Sequence, residues 1–172
     1  IEIAFAVPAY QLGAQTDGQG DISTLDARAT MMGEDWEELA SSVTQFGPFA
    51  RPTVLRTAKN NTAIATFQIP LSVIPGESEM AVSVRDAVTR KIGIYRQPLS
   101  IPAYTARKLL MSDIKLATSI TPTIRKRGSF IRNGHEIIPN PTKIFASNQL
   151  VYIYYELYNL TLSDDGRSKF QT

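Results

Sequence analysis

The feature that most constrains this chain is its punctuation: short β-prone runs recur between turn-forming residues, and no stretch sustains helical apolar spacing. Ile1, Ile3, Phe5 and Val7 alternate with Glu2, Ala4 and Ala6, the period of a strand with one buried face. Pro8 is expected to end that ladder. Residues 13–21 are too polar and glycine-rich to pack, which predicts a mobile loop. Further strands are expected over 22–32, 35–43, 53–57, 62–72, 79–86 and 92–101, with Pro75-Gly76 and Asp86–Arg90 as turns. Over 34–43 a short helix competes, since Trp36, Leu39, Ala40 and Val43 share helical spacing, but the neighbouring strands favour a strand. Seven short strands without long helices predict an all-β, antiparallel sandwich of immunoglobulin or fibronectin type III character.

A second β-rich segment follows. Leu109–Thr118 offers Leu110, Ile114 and Leu116 as core positions, and Phe130–Ile138 contains Asn133-Gly134, a hairpin dipeptide. Pro139-Asn140-Pro141 forces a turned or extended connection. Leu150–Leu162 is the strongest strand signal, with Val151, Ile153, Tyr155 and Leu157 on one face. Tyr152, Tyr154, Glu156 and Tyr158 form the other, polar face. Asp164-Asp165-Gly166 turns the chain back towards Lys169, Phe170 and Gln171. About four or five strands fall after residue 108, short of the roughly seven of a full sandwich. The expected organisation is therefore a sandwich over 1–101, a linker over 102–108 and an incomplete second sandwich over 109–172. Ile101 and Tyr104 are expected to pack the linker against both units.

Charge divides at the same place. Residues 1–100 carry 8 Lys and Arg against 11 Asp and Glu, whereas residues 101–172 carry 10 against 5. The basic group Arg125, Lys126 and Arg127, with Arg132 and His135 nearby, sits among Pro122, Gly128 and Asn133-Gly134 and reads as a solvated loop. It lacks the broad positive surface and stacking aromatics of a nucleic-acid site. No apolar run approaches the roughly 20 residues of a membrane helix. The chain starts at Ile1 without a targeting segment, so a fragment or mature piece is expected.

Three stretches carry a family likeness in order and spacing: Leu110-Met111-Ser112-Asp113-Ile114-Lys115-Leu116-Ala117, Arg132-Asn133-Gly134 through Ile138-Pro139-Asn140-Pro141, and Tyr152 through Leu160. Residues 71–90, with Pro75-Gly76, a Val-rich strand and Asp86, also fit. In these the chain resembles the GWxTD-domain proteins and related bacterial exported proteins that share their C-terminal β-rich region. The resemblance covers residues 60–162 and implies export, with a periplasmic, extracellular or cell-envelope location. The Gly-Trp-x-Thr-Asp sequence itself is absent, and Trp36 lies in Asp-Trp-Glu, which suggests a downstream fragment or a divergent relative.

Catalytic patterns are sparse. The chain has no cysteine and one histidine, which removes thiolate chemistry and ordinary zinc centres. A serine hydrolase would need His135 to serve Ser112, and Ser112-Asp113 reads more simply as a backbone cap. Glu34, Asp35, Glu37 and Glu38 lack an ordered EF-hand loop, and no phosphate-binding glycine motif occurs. No cofactor is expected. Asn60 and Asn159 match glycosylation acceptors, which are incidental in a bacterial protein. Tyr152, Tyr154, Glu156 and Tyr158 are the candidate binding residues, since tyrosine joins apolar contact to a polar edge. The expected function is a non-catalytic structural or protein-interaction module of a larger exported bacterial protein. The alternatives are a carbohydrate-binding accessory domain and, behind it, a carboxylate-dependent hydrolase.

Overall fold

The computed structural model describes residues 1–16, 18, 20–50, 63–104, 108–161 and 164–168. The strand expected over 53–57, the return strand from Lys169 and the Asn60 sequon lie outside the described residues. The fold is all-β, built from several antiparallel sheets. In chain order the strands are β1 (Glu2–Pro8), β2 (Gln15–Thr16), β3 (Asp21–Met32), β4 (Glu38–Ala50), β5 (Ile64–Pro70), β6 (Gly76–Asp86) and β7 (Ile92–Ile101). There follow β8 (Leu110–Met111), β9 (Lys115–Pro122), β10 (Ile131–Arg132), β11 (His135–Pro139), β12 (Tyr152–Tyr154) and β13 (Leu157–Tyr158).

Strands up to residue 101 form two layers. β1 pairs with β5, with Ile3 opposite Ile69 and Phe5 opposite Phe67. The second layer runs β4-β3-β6-β7, and β2 pairs with the start of β3. Ile22 faces both Gln15 and Ala50, and Leu25 faces both Phe46 and Asp86. A strand has two edges, so β2 and β6 share one edge of β3 and β4 takes the other. The inner face of β3 carries buried Leu25, Ala27, Ala29 and Met31, with outward residues between them. The two alanines leave room for Ile3, Ile69 and Leu71 to close onto Met80, Val82 and Ile101. At one end Phe67 meets Phe5, Phe46 and Phe49, with ring centroids 5.4, 4.8 and 5.3 Å away. Such aromatic contacts add about 0.5–1.5 kcal/mol per pair beyond area burial.

The later strands form two smaller sheets, β10-β11-β9-β12 and β13-β8. Asn133 and Gly134 have φ of 48° and 76°, the left-handed pair required by a two-residue hairpin turn, and Arg132 faces His135 as the dipeptide predicts. Both apolar clusters lie within residues 3–101, whereas burial beyond 109 centres on Ala117, Ile131 and Ile137. Asn140 is buried inside the Pro139–Pro141 connection and is satisfied locally. Its N–H reaches Leu116 O at 2.8 Å, its amide donates to Ile144 O at 2.8 Å, and Thr142 Oγ1 donates to its Oδ1 at 2.6 Å.

Several expectations need correction. Residues 13–21 are not simply a loop, because Gln15 and Thr16 pair back onto Ile22 and Asp21. The strand favoured over 35–43 forms, but it starts at Glu38 and runs on to Ala50, joined to β3 by a turn in which Gly33 N donates to Glu37 O. The run over 109–118 breaks at Ser112–Ile114, and Ile114 is exposed while Ala117 is fully buried. Instead of four or five strands, the described residues after 108 hold six, four of them only two or three residues long. The run over 150–162 also breaks, into β12 and β13, because its two ends pair with different sheets. Ile101 is buried in the first cluster, and Tyr104, exposed, meets the Tyr158 ring edge-on at 5.1 Å.

Candidate functional site

Three of the four candidate residues come together, Tyr154 and Tyr158 at the carboxylate of Glu156. At the gap between β12 and β13, Ser112 N donates to Glu156 O and Glu156 N donates to Ser112 Oγ, both at 2.8 Å. This reciprocal pair bridges the two interrupted strands and fixes the Glu156 side chain between its tyrosine neighbours. Tyr154 Oη donates to Glu156 Oε1 and Tyr158 Oη to Oε2, each at 2.5 Å. Those bonds, Tyr154's first, hold the Glu156 carboxyl below the usual carboxylate range, with Arg132 and Lys115 adding to the effect against a burial penalty. Burial and the same carboxylate push the Tyr154 hydroxyl up to about 12. Glu156, then burial, pushes Tyr158 up to about 12. Asn133 Nδ2 donates to Tyr154 Oη at 3.3 Å, and the Lys115 ammonium lies 6.0 Å from the Tyr154 ring centroid.

The faces of this segment are largely reversed relative to the hydropathy pattern. Tyr152, Tyr154, Glu156 and Tyr158 are half-buried, whereas Val151, Ile153 and Tyr155 of the apolar face are exposed and its Leu157 is half-buried. The polar-looking face turns inward because its hydroxyls and carboxylate satisfy one another, which removes the cost of burying them singly. Tyr152 is on this face without joining the hydroxyl-carboxylate bonds among the described residues.

The same cluster touches the first layers. Glu2 on β1 accepts from Lys115 Nζ at 2.6 Å and forms an ion pair with Arg132. Gln68 Nε2 on β5 donates to Ser129 O at 2.6 Å. Burial lowers the Lys115 pKa and nearby Glu156 opposes that shift. The acidic and basic halves of the sequence thus meet through Glu2, Lys115 and Arg132.

Residues considered for chemistry are dispersed. Ser112 Oγ accepts from Glu156 N and donates to Asp113 O at 3.0 Å. His135 instead lies 3.1 Å from Asn133 O at the exposed hairpin. Arg125 pairs with Glu136, Arg28 with Glu38, and Glu37 accepts from Asp35 N at 3.1 Å. Among the described residues no group of His, Asp and Glu side chains gathers as a metal site.

A second feature escaped the sequence reading. A cleft of about 900 Å³ opens between β1, on one layer, and β6 and β7, on the other. Its floor includes Phe5, Val7, Val82 and Val84, and Ile92, Ile94 and Tyr95 line it from β7. These three β7 residues are 59–65% exposed. Gly93 faces inward opposite Val84, and the position of its missing Cβ has no heavy atom within 4 Å. Pro141 and Lys143 reach the cleft from the later sheets. Asp86 also lines it, but its Oδ2 accepts from Gly13 N at 2.8 Å. Its Oδ1 accepts from Val88 N, Thr89 N and Thr89 Oγ1 at 3.0, 2.6 and 3.0 Å. Burial works against ionisation of Asp86, but these bonds outweigh it and hold its pKa below the usual value. The one sequence signal for the cleft is the Ile-Gly-Ile-Tyr run of β7; its lack of cover is a tertiary fact.

The fold and both features define an all-β chain with an internally satisfied tyrosine cluster and an apolar cleft that no described residue covers. No family model matches this chain, and neither the curated proteins nor the solved structures give a match.

Proposed function

We propose that this chain is a non-catalytic, protein-interaction module of a larger exported bacterial protein, built of tandem immunoglobulin- or fibronectin type III-like units, the second incomplete. In this reading residues 1–101 are the first unit, 102–108 the linker and 109–172 the second. A periplasmic, extracellular or cell-envelope location is what the likeness to GWxTD-domain proteins implies. The observation that supports the protein-contact reading is the set of large apolar side chains that β7 leaves exposed: Tyr95 on the cleft face with Val82 and Val84, and Ile92 and Ile94 on the opposite face of the same strand. Exposed apolar side chains gathered on one strand mark a contact site. Carbohydrate binding loses support because the Tyr154 and Tyr158 hydroxyls, its natural contacts, are already spent on Glu156.

Hydrogen exchange on the chain alone and within the larger protein tests the reading. Slower exchange over Ile92–Gln97 in the larger protein is the expected result. Unchanged exchange there, together with saturable quenching of tyrosine fluorescence by soluble oligosaccharides, would transfer the assignment to carbohydrate.

A further inference from the structure

β1 is half-paired. Ile1 and Leu71 exchange both backbone bonds, at 2.8 and 3.0 Å, and Ala9 N donates to Ala63 O at 2.8 Å. In an antiparallel pair the bonded positions alternate, so Ile3, Phe5 and Val7 also bond towards β5. The N–H and C=O groups of Glu2, Ala4 and Ala6 therefore point to the opposite edge, where no strand pairs among the described residues. That edge borders the cleft, whose inner wall is Val82, Val84, Gly93 and Tyr95. Natural edges are usually guarded by lysine, proline or a bulge. Between Ile3 and Val7 this one carries none, and its regular pairing with β5 shows no register shift.

The charged side chains that line the cleft are Asp86, Lys91 and Lys143, which leaves a net positive charge. The Asp86 carboxylate keeps its charge but turns both oxygens to four internal donors. The two lining lysines, Lys91 and Lys143, form no ion pair among the described residues. A second copy of this chain would present β7 with Lys91 and Arg96 and so bring like charge to the site.

We propose that the cleft is a strand acceptor: a partner protein lays an extended segment, apolar at alternate positions and bearing carboxylates, along the free edge of β1. This rests on the protein-contact reading and names its partner chemistry. Main-chain bonds to Ala4 and Ala6 supply pairing, the apolar side chains of the segment cover Val82, Val84 and Gly93, and its carboxylates meet Lys91 and Lys143. The segment spans about seven residues, the length of β1.

The test uses the whole chain and a synthetic peptide alternating valine and threonine with an aspartate at each end. Its comparison peptide carries lysines at the ends. Binding is read by amide shifts and exchange, first for the wild type and then for Gly93→Tyr, which fills the empty space on a strand that accepts aromatic residues. The expected result is saturable binding of the acidic peptide with slowed exchange at Ala4 and Ala6. Both Gly93→Tyr and the lysine-ended peptide are expected to weaken it about tenfold. Unchanged thermal unfolding of Gly93→Tyr shows that lost binding is not lost folding. Equal binding of both peptides would overturn the acidic partner and leave the protein-contact reading standing. Protection confined to β7 would overturn pairing at β1. Concentration-dependent protection of Ala4 and Ala6 without peptide would make a second copy the occupant and overturn the proposal. A Kd above about 1 mM for both peptides also overturns it. If cello-oligosaccharides then shift the same cleft amides, the protein-contact reading falls with it.

Discussion

Replacing Asp86 tests whether one buried carboxylate pins the connection between β1 and β2 to the end of β6. It is 5% exposed, ends β6, and accepts bonds from Gly13 in that connection and from Val88 and Thr89 in its own turn. Asp86→Asn keeps an oxygen for the three donors at the Oδ1 position but turns an NH₂ group against the Gly13 N–H. A bond to a charged group contributes about 1.5–3 kcal/mol, and a buried donor left unmet costs about 1–3 kcal/mol. Asp86→Asn is therefore expected to lose about 2–3 kcal/mol. Asp86→Ala, which strands every donor, loses about 3–4 kcal/mol, near the upper end for single substitutions. With a urea slope of about 2 kcal/mol per M, the Asn variant's midpoint falls by about 1–1.5 M at neutral pH. The folded pKa of Asp86 is depressed, so its stabilisation is present above the ordinary value of 3.8 and is lost as pH falls through the folded value. The gap between wild type and Asp86→Asn should close in that acid range. A loss under about 0.5 kcal/mol at neutral pH, or a gap that persists unchanged in acid, would refute the reasoning.

At the alkaline end, Tyr154 and Tyr158 have folded pKa values of about 12 against an ordinary 10, so their stabilisation is complete below 10 and is lost as pH rises towards 12. Urea midpoints across that window should fall for wild type and flatten for the double Tyr→Phe variant, each single Tyr→Phe costing about 1 kcal/mol at neutral pH. Gly13→Ala places a Cβ 2.6 Å from Asp86 Oδ1 and 2.8 Å from Val88 Cβ, and thermal unfolding should show a loss of about 1–3 kcal/mol. Trp36 is exposed with φ of 63°, so Trp36→Gly is expected to unfold at the same denaturant concentration or higher, by up to about 1 kcal/mol.

Period-two apolar patterning and turn residues determined the all-β class and most strands before residue 102, because both act over a few neighbouring residues. Ile3, Leu25, Ala27, Ala29 and Met31 could be placed on buried faces by parity once their strands were recognised. The Asn133-Gly134 hairpin was equally legible, since its left-handed backbone is a local demand. The grouping of Tyr154, Glu156 and Tyr158 followed from their shared parity, but their inward direction did not. That depended on Ser112, 44 positions away, breaking the strand and on three polar groups satisfying one another. The same limit applies to Gly13 with Asp86 and to Glu2 with Lys115 and Arg132, pairings made between elements remote in sequence. The open edge of β1 is of this kind too: alternation specifies which side chains face inward, whereas only the assembled layers decide which backbone edge receives a partner.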